Sequence, residues 1–240
     1  FSPGAVVKLR VELINLLKEK FKVDPDREAH DRFLSLEMIW PDNALLRAYV
    51  LSPRLGQISA DLLEVQAVRL YHDNVLAKQA GCGRTPWHFD DHHFPLDTND
   101  VVTAWVPAQP TPLEMGPLSF AYPLSVHELV NAVTFEKTGT GYDRGVSDVF
   151  SKNNVSVNET PFELGEVSFH HNLNFHTASR NRTSRSRVAL ANTYYRDGAR
   201  IVNSPTMVSG DWKKFVPNVK PGDLAASPLN PICWPVKDKS

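Results

Sequence analysis

Apolar residues recur at three- and four-residue steps near the start of the chain. Val6, Leu9, Leu13, Leu16, Leu17 and Phe21 mark one face of a helix predicted over residues 5–21, which would cover a core from outside. Further helices are predicted over 26–39, stopped by Trp40-Pro41, over 43–51 and over 58–65. Beyond Val65 the period changes. Short segments rich in β-branched and aromatic residues, divided by Gly, Pro, Asn or Asp, predict strands over 67–72, 74–78, 101–106, 117–122, 166–170 and 188–195. Residues 125–135 read as another helix, 139–159 as a polar lid or binding loop, and the Pro-rich 216–235 as irregular chain. With no internal repeat and no linker, the expectation is one domain over 1–240, an α+β arrangement in which helices precede an antiparallel sheet.

Composition narrows the function. The 240 residues are 42% hydrophobic, enough to bury a sizeable core and to exclude a disordered chain. Lys plus Arg (26) nearly cancels Asp plus Glu (27), so no global field favours nucleic acid or an acidic membrane, and a small-molecule partner is expected. No apolar run reaches the roughly 18 residues of a membrane span, and no secretory leader is visible. The chain opens on Phe1, so a truncated N-terminus is expected. Cys82 and Cys233 lie far apart without a CxxC pattern, which argues against a disulfide framework or structural zinc and fits a reducing, cytoplasmic compartment. Oligomeric state is left open.

Histidine clustering supplies the chemistry. In Trp87-His88-Phe89-Asp90 the imidazole and carboxylate stand at i and i+2, so on a strand both point to one face and can grip one metal ion. Counting forward from His176 gives Asn181, Thr183 and Arg187. His176 would end one strand, the polar segment would turn, and Arg187 would enter the next strand facing the same pocket. Two histidines and one carboxylate leave about three metal positions open, as in non-haem Fe(II) oxygenases. The arginine offers a planar fork for a carboxylate. His170 and His171 rival His176, but only one of them can face inward on a strand. His170 is expected as a core residue bonding a neighbour. Arg180, Arg182 and Arg185 are expected as solvated turn residues, since no aromatics interleave for base stacking.

Leu70-Tyr71-His72-Asp73, Leu76-Ala77-Lys78 and Thr85-Pro86-Trp87-His88-Phe89-Asp90 resemble a run of two strands into the metal motif in the phytanoyl-CoA dioxygenase family of Fe(II)/2-oxoglutarate-dependent oxygenases. Val102-Thr103-Ala104-Trp105, Gly116-Pro117-Leu118 and Gly165-Glu166-Val167 with His176, Asn181, Thr183 and Arg187 extend the resemblance over about half of the chain. It implies a double-stranded β-helix (jelly roll, cupin-like) with flanking helices, and Fe(II), 2-oxoglutarate and O2 as cofactor and co-substrates. On that basis His88, Asp90 and His176 are the iron ligands and Arg187 pairs with the C5 carboxylate of 2-oxoglutarate. Lys78 and Trp105 match positions that line the co-substrate pocket. Where the family often has a serine two residues after the distal histidine, this chain has Ala178, leaving Thr177 or Ser179 to substitute or the bond absent; Thr177 is counted among the co-substrate residues. His92, His93 and Phe94 follow the motif as candidate substrate contacts. Related halogenases place a small residue at the position of Asp90, so the aspartate argues for oxygenation.

The implied activity is oxidation, most simply hydroxylation, of a C–H bond in a small organic molecule, with release of succinate and CO2. Natural-product biosynthesis is favoured over acyl-CoA metabolism because no basic cluster suits the CoA phosphates. The alternative is a non-redox cupin-like metalloenzyme, an isomerase or hydrolase using the same ligands, in which Arg187 has no assigned partner. A carbohydrate-binding jelly roll is disfavoured, since binding alone does not need an open metal triad.

Overall fold

The computed structural model describes residues 1–28, 31–134, 141–205 and 210–235. Helix α1 (Pro3–Phe21) begins where Ser2 accepts the Ala5 N–H and proline fills the first turn, and it buries Val6, Leu9, Leu13, Ile14 and Leu17. Helix α2 (Ala44–Val50) is capped by the Asn43 side chain. Helix α3 (Pro53–Leu63) starts five residues before its predicted position, because Ser52-Pro53 supplies the proline start that the apolar pattern alone does not reveal.

The predicted helix over 26–39 does not form; residues 29–30 lie outside the described residues, and Phe33–Glu37 is a strand, β1. Its alternation explains the outcome: Leu34 and Leu36 pack into the helix-covered core, while Phe33, Ser35 and Glu37 line a cavity on the other face. The two strands predicted over 67–72 and 74–78 are one, β2 (Val68–Lys78), with a register shift at Tyr71. The remaining strands are β3 (Thr85–His88), β4 (Val101–Pro107), β5 (Leu118–Tyr122), β6 (Ser156–Glu159), β7 (Ser168–His171), β8 (His176–Ala178), β9 (Arg187–Arg196) and β10 (Ile232–Trp234).

Two antiparallel sheets result. The larger runs β1-β2-β9-β4-β7 with β10 also paired to β2, and the smaller runs β3-β8-β5-β6. Leu70, Val75, Ala77, Val102, Ala104, Val106, Val188 and Leu190 face the helices in one core. Leu190 is fully buried there, so truncation to alanine would cost about 2–5 kcal/mol. Trp105, Ala189 and Ala191, on the other face of the larger sheet, meet Leu118 and Ala178 of the smaller one.

Two further expectations are corrected. The helix predicted over 125–135 is a single turn, α4 (Val126–Leu129), its last residue lying outside the described residues. Within the predicted loop 139–159, residues 139–140 lie outside the described residues and the rest forms α5 (Gly141–Lys152) and β6. Tyr142, Val146 and Phe150 of α5 pack with Trp87 and Phe175, which anchors the segment. The Pro-rich end is not wholly irregular either, since it contributes β10. Gly56 of α3 lets that strand approach: a Cβ there would lie 2.6 Å from the Cys233 carbonyl oxygen.

Candidate active site

Strand register assembles the site. Along β2 and β9 the residues on the side of the sheet that bounds the cavity pair across the strands: Lys78 with Arg187, Leu76 with Ala189, Asn74 with Ala191 and His72 with Thr193. β4 extends the last two rows with Trp105 and Thr103, and β7 then places His170 opposite Thr103. Between Arg187 and Thr193 the inward positions of β9 hold only alanines, which leaves space between the sheets. A cavity of about 800 Å³ occupies it, lined among others by His88, Asp90, His176, Trp105, Arg187, His93 and Phe94.

His88 ends β3 and His176 begins β8, and the two are register partners. The expectation that Asp90 shares the strand with His88 is corrected: β3 stops at His88, and Asp90 has φ −86° and ψ −16°. The turn is held from the other side by Asn172, whose carbonyl accepts the Asp90 N–H at 2.8 Å and the Asp91 N–H at 3.1 Å. It carries the carboxylate back to the imidazoles, with Asp90 Oδ1 3.9 Å from His88 Nε2 and 3.7 Å from His176 Nε2. Ligand atoms of these three side chains all lie within 4.8 Å of one another.

His88 Nδ1 lies 2.9 Å from the Pro86 carbonyl oxygen, and His176 Nδ1 lies 3.0 Å from that of Asn174. Assigning the ring proton to Nδ1 satisfies both carbonyls and leaves each Nε2 lone pair for an ion. Burial lowers the pKa of both histidines, which favours the form whose lone pair an ion can take. Burial would raise the pKa of Asp90, but His176, His170 and His88 outweigh it and hold the carboxyl well below its ordinary range. Two neutral imidazoles and one carboxylate on one side of a point suit a divalent iron with open positions.

Past the triad lie two buried cations. Arg187 is 2% exposed, donates from Nη1 to the Gly116 carbonyl at 2.5 Å and stacks 5.2 Å from the Trp105 ring, while its Nε has no partner among the described residues. Gly116 can present that carbonyl because it has φ +71°, and a Cβ would strike the Ser179 carbonyl oxygen at 2.2 Å. Lys78, fully buried, donates from Nζ to Thr85 Oγ1 at 3.2 Å and to the Ala178 carbonyl at 3.0 Å. Burial, with the Arg187 charge adding, pushes its pKa down to about 7, and burial pushes that of Arg187 down to about 10. Buried charge is costly unless paired, so an incoming carboxylate would relieve this end of the cavity.

The other candidates separate. Trp105, His93 and Phe94 line the cavity with Arg187, whereas Lys78, Thr177 and His92 are not among its lining residues. Thr177 donates its hydroxyl to the Thr85 carbonyl, Ser179 donates to Glu159 at 2.9 Å, and the His92 ring stacks on Phe89 at 4.3 Å.

With this geometry in place, comparison with known proteins is decisive. The family model described as phytanoyl-CoA dioxygenase matches residues 18–189. The chain belongs to the phytanoyl-CoA dioxygenase family. No curated protein matches it in sequence. Among solved structures it is similar to the non-heme alpha ketoglutarate dependent carbocyclase SnoK from nogalamycin biosynthesis, at 23% identity and a TM-score of 0.76, covering 97% of this chain and 88% of that one. The epimerase SnoN, in complex with Fe3+, alpha ketoglutarate and nogalamycin RO, matches at 19% identity and a TM-score of 0.74, covering 97% and 91%. EctD from S. alaskensis, with bound Fe, matches at 17% identity and a TM-score of 0.66, covering 84% and 72%. At these identities the likeness carries the fold.

In this phytanoyl-CoA dioxygenase family member, sequence reasoning missed much of the cavity lining. Phe33, Ser35 and Glu37 of β1, His72, and Asp211, Lys214 and Phe215 all line it. The alternation of Phe33-Leu34-Ser35-Leu36-Glu37 was the available signal for the first three. Segment 210–215 carries no comparable pattern. Among the described residues, no helix is long and apolar enough to cross a membrane.

Proposed function

We propose that this chain is a single-domain Fe(II)- and 2-oxoglutarate-dependent dioxygenase that oxidises, most simply hydroxylates, a C–H bond of a small organic molecule. The reading includes His88, Asp90 and His176 as iron ligands and Arg187 as the anchor of the co-substrate's far carboxylate. It also takes the two facing sheets as a double-stranded β-helix and the reducing cytoplasm as the setting, supported by two buried cysteines outside any disulfide.

The observation that carries the proposal is the pairing of an open His/Asp/His set with a buried arginine that has an unpartnered Nε and no carboxylate in salt-bridge range among the described residues. A non-redox metalloenzyme has no assigned use for that arginine. Bound at the triad, Fe(II) supplies oxidative decarboxylation of 2-oxoglutarate by O2, which yields succinate, CO2 and an oxidant for the substrate. The protein's part is placement. Arg187 fixes the distance of the co-substrate from the triad, Trp105 holds the guanidinium plane, and Ala189 and Ala191 keep the space between them clear. Leu118 and Phe162 are buried against Trp105 and help to exclude water.

A natural-product substrate is favoured over an acyl-CoA by the charges that line the cavity. Glu37 and Lys214 pair with each other there, and Asp211 adds a further negative charge. The test is succinate formation from 2-oxoglutarate in air. Turnover that requires added Fe(II) and is lost in His176→Ala supports the proposal; no succinate from metal-loaded protein with any small organic substrate overturns it.

A further inference from the structure

Asp90 divides its two oxygens between different neighbours. Oδ1 faces His88 and His176, while Oδ2 lies 3.4 Å from His170 Nε2. His170 is 5% exposed on β7, and its ring lies 4.5 Å from that of His176 and 5.5 Å from that of Phe120. It is not itself one of the clustered ligands, since the described residues whose donor atoms all fall within 4.8 Å of one another are His88, Asp90 and His176.

The ring's proton can be located from its surroundings. Among the described residues His170 Nδ1, which is buried, has no hydrogen-bond partner, whereas Nε2 faces a carboxylate oxygen. A neutral imidazole carries one N–H, and here only the Nε2 position has an acceptor. Register fixes the rest, because the Thr103–His170 pairing between β4 and β7 sets the ring's height above the sheet. Thr103 is itself tied to Thr193 at 2.9 Å, which stiffens the strand beneath.

We propose that His170 is a positioning residue, donating to Asp90 Oδ2 so that Asp90 meets the metal through Oδ1 alone and leaves the remaining positions open for co-substrate and O2. The inference rests on the reading of His88, Asp90 and His176 as metal ligands. Without this donor the carboxylate is free to rotate or to chelate through both oxygens, which loosens the preformed site and occupies a position that the reaction needs. Outer partners of metal ligands typically contribute about 10–100-fold in metal affinity.

The test compares His170→Phe, which keeps a ring but no donor, with His170→Gln, which keeps an N–H at similar reach. Anaerobic Fe(II) titration should show affinity falling about 10–100-fold in His170→Phe and within about threefold of wild type in His170→Gln. The visible spectrum of the Co(II)-loaded protein should change in the phenylalanine variant and be restored in the glutamine variant, a readout that a purely packing role would not move. If His170→Phe does not fold, His170→Leu carries the same comparison. Wild-type metal affinity in the variants without a donor, or equal loss in His170→Gln, overturns the inference while leaving the metal reading intact. A wild-type chain that binds no Fe(II) overturns both.

Discussion

Lys78 and Arg187 are register partners on β2 and β9, both buried on the cavity-facing side of the sheet, and neither has a carboxylate partner among the described residues. Two like charges at that spacing in a dry interior cost stability unless a further group compensates. The arrangement is therefore costly as a scaffold feature and reasonable as a receiving site for a dicarboxylate.

Arg187→Met keeps most of the side-chain volume and removes the fork. Loss of a charged, two-pronged hydrogen bond predicts a rise of about 10–100-fold in the 2-oxoglutarate dissociation constant, with Fe(II) affinity little changed. Calorimetric titration of the metal-loaded variant checks this, and unchanged co-substrate affinity would remove Arg187 from its role.

Lys78 predicts a pH dependence. Its folded-state pKa is depressed from 10.5 to about 7, so between those values the unfolded chain binds a proton that the folded chain does not. Raising the pH then disfavours unfolding, and the stability contribution of this group should rise from about pH 7 towards pH 10.5. Melting temperatures of wild type and Lys78→Met across that window should converge on the alkaline side; a constant difference would contradict the assignment.

Asn181 holds the β8–β9 turn that delivers Arg187. Its amide donates to the carbonyls of Lys78, Gln79 and Arg185 at 2.8–3.2 Å, and its Oδ1 accepts from Thr183 N and Oγ1. Asn181→Ala leaves several of these buried groups unpaired and should destabilise the fold by about 2–4 kcal/mol in chemical denaturation. A change below about 0.5 kcal/mol would mean that the turn holds without it.

Legibility in the sequence followed locality. The helix at α1 and the strands β4, β5 and β9 announce themselves, because amphipathic period and strand composition are properties of a few neighbouring residues. The spacing from His176 through Asn181 to Arg187 was equally legible, and Asn181 supplies a physical reason: its side chain ties the turn, at Thr183 and Arg185, to the carbonyls of Lys78 and Gln79. β1 was misread because its five residues adjoin a polar stretch and its alternation is too short to outweigh a helical reading. The orientation of Asp90 was not local either; the strand ends before it, and Asn172, some eighty residues away, fixes its turn. His170 was recognised only as a residue bonding some neighbour, since its place beside Asp90 depends on the pairing of β4 with β7. The lining residues Gly210, Asp211, Lys214 and Phe215 arrive by tertiary packing with no periodic signal.

On the reading proposed above, the triad and Arg187 form one site for a metal and a chelating 2-oxoglutarate. The most direct test is anaerobic: Fe(II) and then 2-oxoglutarate are added to the metal-free protein while the visible spectrum is followed. A weak charge-transfer band should appear only when both are present, be absent in His176→Ala, and need much higher 2-oxoglutarate in Arg187→Met. Bound Fe(II) with no band at saturating 2-oxoglutarate would contradict it.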